Sequence, residues 1–563
     1  MATGETRRRW GASGVASYGT GMAYPLLPGP EELSAAERFA SWKDRWGAGR
    51  RGVYRDLLPG RMPAAGEQYA FEVDLDLCSG CKACVAACHA LNGLDEGETW
   101  RWTGVLQSGS SRHAWHQTVT TACHHCVEPA CLAGCPVLAY EKDPVTGIVR
   151  HLDDQCIGCQ YCIMKCPYEV PQYSRRRGIV RKCDMCSGRL ARGEAPACVQ
   201  ACPHHAIRIR LVDTARLRGR YRGLPGMPGA TAESWLPDAP DPAITLPATV
   251  YKTERSMFRL LRAADREHVT RQPAHWPLVF LLLLTQGAAG LFLYAGLLRA
   301  FGGAAAGSML SWMPVATAAA MVLAGAGVSL LHLGRPGGAW RAFLGLRTSW
   351  LSREIVALGL FACGAGLAVG REVFVSEGGF LWPAVAGALG LLTVFCSCKV
   401  YDDTRREFWK LRFAGPRFLG SVWLLGGVSA LVLASLGPVA VDGWAWIALS
   451  VCAGGVFKLA GDGRILRHVY DDDFGPLHKT ALVLTGELGR WDRSRVAWTL
   501  IGTVVIPLVL CLALWSETWK EPRPWLLLGA VTGASCTWVG EVLERAGFFM
   551  AVQSRKMPGN PVV

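Results

Sequence analysis

Sixteen of the 22 cysteines lie between Cys78 and Cys202, in four groups of four. Thiolates grouped in this way bind soft metals, and their spacing selects the metal. The first group, Cys78, Cys81, Cys84 and Cys88, and the third, Cys156, Cys159, Cys162 and Cys166, both read C-x2-C-x2-C-x3-C, the bacterial ferredoxin run. The second, Cys123, Cys126, Cys131 and Cys135, widens the middle gap, and the fourth, Cys183, Cys186, Cys198 and Cys202, widens it further. Each still closes with C-x3-C. Three closely spaced thiolates hold three corners of a 4Fe-4S cubane from one loop, while the fourth, on the following helix, reaches a neighbouring cluster. Proline follows the last cysteine in three groups (Pro136, Pro167, Pro203), and His89 takes that place in the first. The implied chemistry is electron transfer through four 4Fe-4S clusters.

Two other chemistries use paired cysteines. A zinc ribbon fills one tetrahedral site from two C-x2-C units, so the third and fourth cysteines of every group would be surplus. Disulfides staple small secreted domains, and thiols this dense along the chain make a poor framework for them. Four repeats of one motif therefore point to cubanes. His124 and His125 lie between two of the cysteines; with the ligand count complete, they read as ordinary loop residues and not as ligands.

Near residue 275 the sequence turns apolar in blocks long enough to cross a bilayer, which takes about 20 residues per helix. Eight spans are expected, near 276–298, 312–332, 352–370, 380–400, 417–436, 441–460, 497–516 and 524–546. Runs such as AGAGVSLL and AVAGALGLL let helices approach closely in lipid. The six remaining cysteines, Cys363, Cys396, Cys398, Cys452, Cys511 and Cys536, fall in these spans and read as small packing residues.

An even number of spans returns the polypeptide to its starting side. Loops on the cluster side carry Arg335, Arg341, Arg347, Arg353, Lys399, Arg405, Arg406, Lys410, Arg412 and Arg417, then Arg464, Arg467, Lys479, Arg490, Arg493 and Arg495. Opposite loops offer Arg299, Arg371, Lys520 and Arg523. The positive-inside rule then faces the clusters and the C-terminus to the cytoplasm, a compartment reducing enough for thiolates. The same asymmetry accounts for much of the +14 formal charge, so no nucleic-acid partner is required.

Arg7, Arg8 and Arg9 suggest a twin-arginine export signal, but no continuous apolar core or cleavage site follows. Residues 1–70 read as an irregular arm, in contact with a partner or disordered, with a short helix at PEELSAAERFASWKDRW. Residues 213–272 are rich in Pro and Gly and read as a connector that spaces two domains or wraps along a surface.

The stretches CIGCQYCIMKCPYEVPQY and KCDMCSGRLARGEAPACVQACP resemble the iron–sulfur subunits of the dimethyl sulfoxide reductase type of molybdopterin oxidoreductases. LLHLGRPGGAWRAF, SWLSREI and GEVLERAGFF resemble the matching membrane anchor subunit. In that family the two are usually separate chains, so the sequence reads as a fusion. The resemblance implies an α+β ferredoxin-like iron–sulfur domain of two pseudo-repeated dicluster modules over residues 71–212. This is fused to an all-α polytopic membrane domain of eight transmembrane helices over residues 273–563. The resemblance also implies ligand sets that cross between groups: Cys78, Cys81, Cys84 with Cys202; Cys183, Cys186, Cys198 with Cys88; Cys123, Cys126, Cys131 with Cys166; and Cys156, Cys159, Cys162 with Cys135.

Quinone chemistry moves protons as well as electrons, so its site needs groups that exchange protons beside a lipid-accessible cleft. His332 ends the second span and Glu354 opens the third, at the cluster-side boundary. The family's quinol-site histidine and glutamate fall in the HLGRP and SWLSREI motifs, which match these two positions. Without the resemblance, a helix-end ion pair with Arg335 or Arg353 is the simpler reading. Glu541, Glu544 and Lys458 read as snorkelling or helix-packing charges, and Trp350 and Trp382 as part of an aromatic belt. No CxxCH is present and no pair of histidines is evident on facing spans, so no haem is expected.

The expected protein is an electron-transfer and membrane-anchor subunit in a bacterial or archaeal cytoplasmic membrane. It relays electrons between a separate molybdopterin-containing catalytic subunit, which carries the substrate site, and the quinone pool, in an arrangement similar to membrane-bound sulfite dehydrogenases. A second expectation is a quinone-linked iron–sulfur relay module that docks to another respiratory complex without molybdenum.

Overall fold

The computed structural model describes residues 56–108, 115–223, 235–255, 258, 260–301, 312–375, 379–436, 441–515 and 523–559. The expected N-terminal arm lies outside them as far as residue 55, and so does Lys520.

The cluster domain is built from short strands: β1 (Glu67–Asp74), β2 (Arg101–Ser108), β3 (His116–Ala122), β4 (Tyr140–Lys142), β5 (Val149–His151), β6 (Gln172–Ser174), β7 (Ile179–Arg181), β8 (Ile207–Asp213), β9 (Val250–Lys252) and β10 (Leu261–Ala263). They form two three-stranded sheets, β8-β1-β9 and β10-β2-β3, and two hairpins, β4-β5 and β6-β7. Successive residues of a strand face opposite sides. Unbroken burial from Gln68 to Val73 therefore means that β1 is covered on both faces. β1 runs antiparallel to β8, with Phe71 opposite Ile209, and parallel to β9, with Val73 opposite Tyr251. Five helices of one to three turns follow the cysteine loops or lie among them: α1 (Ala83–Asn92), α2 (Ala130–Gly134), α3 (Tyr161–Lys165), α4 (Ser187–Ala191) and α5 (Ala197–Gln200).

Residues 213–272 do more than connect. The Asp213 side chain caps α6 (Thr214–Arg222) by accepting the Ala215 and Arg216 N–H groups at 2.8 and 3.0 Å. β9 and β10 are edge strands of the two large sheets, and Trp235, Leu236, Leu246 and Ala248 are buried in the same core. Of the two roles expected for this segment, wrapping is the one present. Boundaries at 71 and 213 cut through β1 and β8.

Among the described residues, eight helices are long and apolar enough to cross a membrane. They are α7 (Trp276–Phe301), α8 (Met313–Leu330), α9 (Trp350–Phe374), α10 (Leu381–Asp402), α11 (Leu411–Leu436) and α12 (Val441–Asp462), then, past the short α13 (Pro476–Thr485), a seventh and an eighth. The seventh joins α14 (Gly489–Leu500) to α15 (Ile506–Trp515) through a π turn at Ile501–Val505, and the eighth is α16 (Arg523–Met550). All eight expected spans fall on these helices. Glycine permits a close crossing: a Cβ on Gly290 of α7 would lie 2.0 Å from the Val422 carbonyl oxygen of α11. Past α16 the polypeptide returns to the cluster domain. The Gly559 N–H donates to Asp265 at 3.0 Å, and a Cβ on Gly104 of β2 would lie 2.1 Å from the Pro558 carbonyl oxygen. The tail and the clusters share one side, as an even number of spans requires.

Candidate functional site

In each C-x2-C turn the residue before the second cysteine is left-handed: Gly80 (φ 71°), His125 (40°), Gly158 (69°) and Met185 (61°). Such a residue turns successive N–H groups towards one point and makes a concavity for an anion. Backbone N–H groups also point at sulfur, from Gly158 to Cys156 (3.4 Å), Met185 to Cys183 (3.4 Å), Ala139 to Cys135 (3.2 Å) and Ala206 to Cys202 (3.3 Å). These donors favour the thiolate.

Burial raises the thiols of Cys126, Cys162, Cys88 and Cys183, with neighbouring cysteines adding to it. Cys126 is raised further by Cys123, Cys166 and Cys131, and Cys162 by Cys159, Cys135 and Cys156. Cys88 feels Cys198 and Cys186, and Cys183 feels Cys88, Cys123 and Cys198. Cys84 lies near both Cys198 and Cys78. Cys81 is exposed. Cys123, Cys126, Cys131 and Cys166 line one small cavity of about 20 Å³. Among the described residues no three Cys, His, Asp or Glu side chains converge tightly enough to hold a single ion. Thiols that are neighbours and line such a cavity fit a four-iron core. His124 and His125, expected as ordinary loop residues, are buried in this wall at 2% and 0% exposure.

The loop around Cys156–Cys166 is pressed against the membrane helices. Tyr161 Oη donates to the Val400 carbonyl near the end of α10 (2.9 Å), Lys165 pairs with Asp403 (2.5 Å), and Glu169 pairs with Arg406 (2.9 Å). From the loop after α8, the Arg335 N–H donates to the Ile157 carbonyl (3.0 Å), and Ser349 Oγ, just before α9, donates to the Gly134 carbonyl (2.7 Å). A Cβ on Gly334 would lie 2.1 Å from the Gly178 carbonyl oxygen. Gly334→Val should therefore wedge the two halves apart at a cost of about 1–3 kcal/mol. Limited proteolysis in detergent should cut residues 251–275 about tenfold faster in this variant than in the parent.

His332 lies beyond α8 and beside the same loop. Its pKa is lowered, chiefly by burial, while the Cys159 backbone pulls the other way. Its Nε2 is buried without a hydrogen-bond partner, and its ring meets that of His275 at 5.8 Å. Burial, with help from His332 and Arg406, brings His275 down to about 4. Both rings are neutral near pH 7.

Glu354 is buried in the first turns of α9 and accepts a hydrogen bond from Ser397 Oγ at 2.5 Å. It makes no ion pair among the described residues. Arg353 instead stacks over Trp350 (4.3 Å) and donates to the Leu346 and Arg347 carbonyls, and Arg335 donates to the Asp153 carbonyl. The simple helix-end ion pair is thus absent there. The Tyr161 phenol is raised by burial, then by Asp403 and Glu354, so Glu354 and His332 approach one cluster loop from two elements. A buried carboxyl held by one hydroxyl, and a neutral histidine with a free ring nitrogen, are equipped to exchange protons with a bound ligand.

The charges inside the bundle are not snorkelling. Lys458 of α12 contacts Glu541 of α16, Ser421 of α11 (2.8 Å) and Glu544 (3.7 Å). Arg417 joins Asp462 (3.0 Å) and Glu544 (3.4 Å), and Arg495 of α14 joins Asp462 (2.7 Å). The Lys458 and Glu541 side chains are each 1% exposed. They tie four helices together. This network, His275 and Ser397 carry no local sequence signal, because each partner comes from a different helix.

Residues 114–211 match the family described as 4Fe-4S dicluster domain, and residues 272–457 match the DMSO reductase anchor subunit (DmsC). The B subunit of the anaerobic dimethyl sulfoxide reductase of Haemophilus influenzae is 37% identical over 161 residues, 27% of the present sequence and 78% of the relative. The protein belongs to the family of that B subunit. Thiosulfate reductase electron transfer subunit PhsB of Salmonella typhi is 34% identical over 154 residues (27% of the present sequence, 80% of the relative). Hydrogenase-2 operon protein HybA of Escherichia coli O157:H7 is 37% identical over 160 residues (24% and 49%). In this dimethyl sulfoxide reductase-type protein an iron–sulfur electron-transfer part and a multi-pass membrane anchor are fused in one polypeptide.

Proposed function

We propose that the protein relays electrons between a separate molybdopterin-containing catalytic subunit and membrane quinone, through four 4Fe-4S clusters held on the cytoplasmic side. The ligands are the four crossed sets: Cys78, Cys81, Cys84 and Cys202; Cys183, Cys186, Cys198 and Cys88; Cys123, Cys126, Cys131 and Cys166; Cys156, Cys159, Cys162 and Cys135. The approach of Cys84 to Cys198, and of Cys183 to Cys123, supports that order from the exposed Cys81 end inward. Each cluster, when bound, accepts and passes on one electron.

The observation that carries the reading is the seating of the Cys156–Cys162 loop on the membrane edge beside His332 and Glu354. There the two residues take or give the protons that quinone chemistry requires. Arginines crowd the cluster-side loops, which supports a cytoplasmic orientation. Electrons then run from the catalytic subunit to quinone, in an arrangement similar to that of membrane-bound sulfite dehydrogenases.

Metal content tests this. The full-length protein, purified through an N-terminal tag in mild detergent from its own host, should carry about sixteen irons together with molybdenum from a co-purifying subunit. Cys159→Ser should lose roughly four of those irons and the quinone-linked electron flow. Full iron without molybdenum, in a complex that has kept its subunits, would overturn the molybdenum assignment. That result would favour the second reading, a relay to another respiratory partner, which the similarity to a hydrogenase operon protein supports.

A further inference from the structure

Two imidazole nitrogens in the wall of the cavity framed by Cys123, Cys126, Cys131 and Cys166 have no hydrogen-bond partner, His124 Nε2 and His125 Nε2, and only for His125 does a backbone N–H assign the tautomer. His125 is fully buried and lines that cavity. Its Nδ1 accepts the Val149 backbone N–H at 3.1 Å, so the ring carries its proton on Nε2. Nε2 has no hydrogen-bond partner. A buried N–H without an acceptor is costly and rare in a native fold.

The cations around it are already committed. Lys182 Nζ donates to the Val149 and Cys183 carbonyls, and Lys142 Nζ donates to Gln68 Oε1 and to the Cys126 and Val127 carbonyls. His124 Nδ1 pairs with Thr249 Oγ1 at 2.9 Å, a hydroxyl that serves either tautomer, so nothing fixes a proton on its own unpartnered Nε2.

The backbone adds an independent observation. His125 has φ 40° at the turn position where the first and third groups use Gly80 and Gly158 and the fourth uses Met185. A side chain there carries strain that glycine avoids. The Gln68 amide, donating to the His125 carbonyl at 2.7 Å, pins this turn in place. The imidazole is kept where a glycine would fold more easily, in the wall of the cavity that the four thiols line.

We propose that His125 donates its Nε2 proton in a hydrogen bond to a sulfur of the 4Fe-4S cluster held by these four cysteines, and so raises the reduction potential of that cluster. Reduction adds negative charge to the cluster, and a donor aimed at its sulfur stabilises the reduced form more than the oxidised one. The inference rests on the ligand sets proposed above.

The test uses the full-length protein loaded with its clusters, titrated electrochemically and followed by EPR, with histidine labelled by nitrogen-15. In the parent, one reduced cluster should show hyperfine coupling to a histidine nitrogen. His125→Gly, a residue that the sister loops already accommodate, should abolish that coupling and lower one midpoint by at least tenfold in equilibrium constant, about 59 mV for one electron. His124→Phe should leave both unchanged. Midpoints within twofold of the parent in a His125→Gly protein with full iron would overturn the proposal. If that variant loses iron, the parent spectrum decides: a coupling that survives His124→Phe and His332→Ala supports it, and no such coupling overturns it. Parent iron content reports separately on the ligand sets, so failure of those sets is distinguishable from failure of the hydrogen bond.

Discussion

Glu354→Gln slows electron exchange with added quinone about 100-fold or more, the scale of a lost proton-transfer group, while the EPR signals and iron content of the clusters stay as they were. Glutamine keeps the size of the side chain and its contact with Ser397 Oγ, but it cannot take up or release a proton. His332→Ala should act in the same direction, because its unpartnered Nε2 beside the Cys159 loop is the other group able to move one. The double variant should lose less than the product of the two single effects, since both residues serve one ligand. Stopped-flow oxidation of the prereduced protein by a soluble quinone reads all three. Parental rates in both single variants would remove this face of the membrane edge from the electron path.

The largest effect on stability is expected at Lys458. Lys458→Met leaves Glu541 without its ammonium partner inside the bundle, beside Glu544. Breaking one partner out of a buried ion pair costs about 3–5 kcal/mol. The unfolding midpoint in detergent should fall accordingly. Lys458→Met combined with Glu541→Leu should recover most of the loss, because it removes the stranded charge as well. A single variant as stable as the parent would mean that water or a neighbouring arginine already compensates Glu541.

These two sites also mark where sequence reasoning reached its limit. The cysteine groups are legible because thiol reach along a short loop is set by covalent geometry, and the spans because bilayer thickness sets a minimum apolar length. The three-residue strands β9 and β10 are too short to show a two-residue period, and their proline-rich surroundings mimic a linker. Lys458 gives no hint in its own helix of the carboxylate it meets on α16, since that pairing exists only after the helices pack. His125 looks like any loop residue until the Val149 N–H assigns its tautomer and the left-handed turn shows what the position costs. Without the family resemblance, Glu354 reads as half of an ion pair until Arg353 is seen turned onto Trp350.

The return of the polypeptide after α16 has a consequence for how the protein is made. Met557 is buried in the core of the cluster domain, and Pro558 and Gly559 lie against Gly104 of β2. The ribosome delivers these residues only after all eight helices have left it, although β2 was synthesised before the first of them. A nascent polypeptide halted anywhere within the membrane domain therefore displays an unfinished hydrophobic surface on its iron-binding half. Closure of that surface by Met557 therefore comes last, after the final helix has been made.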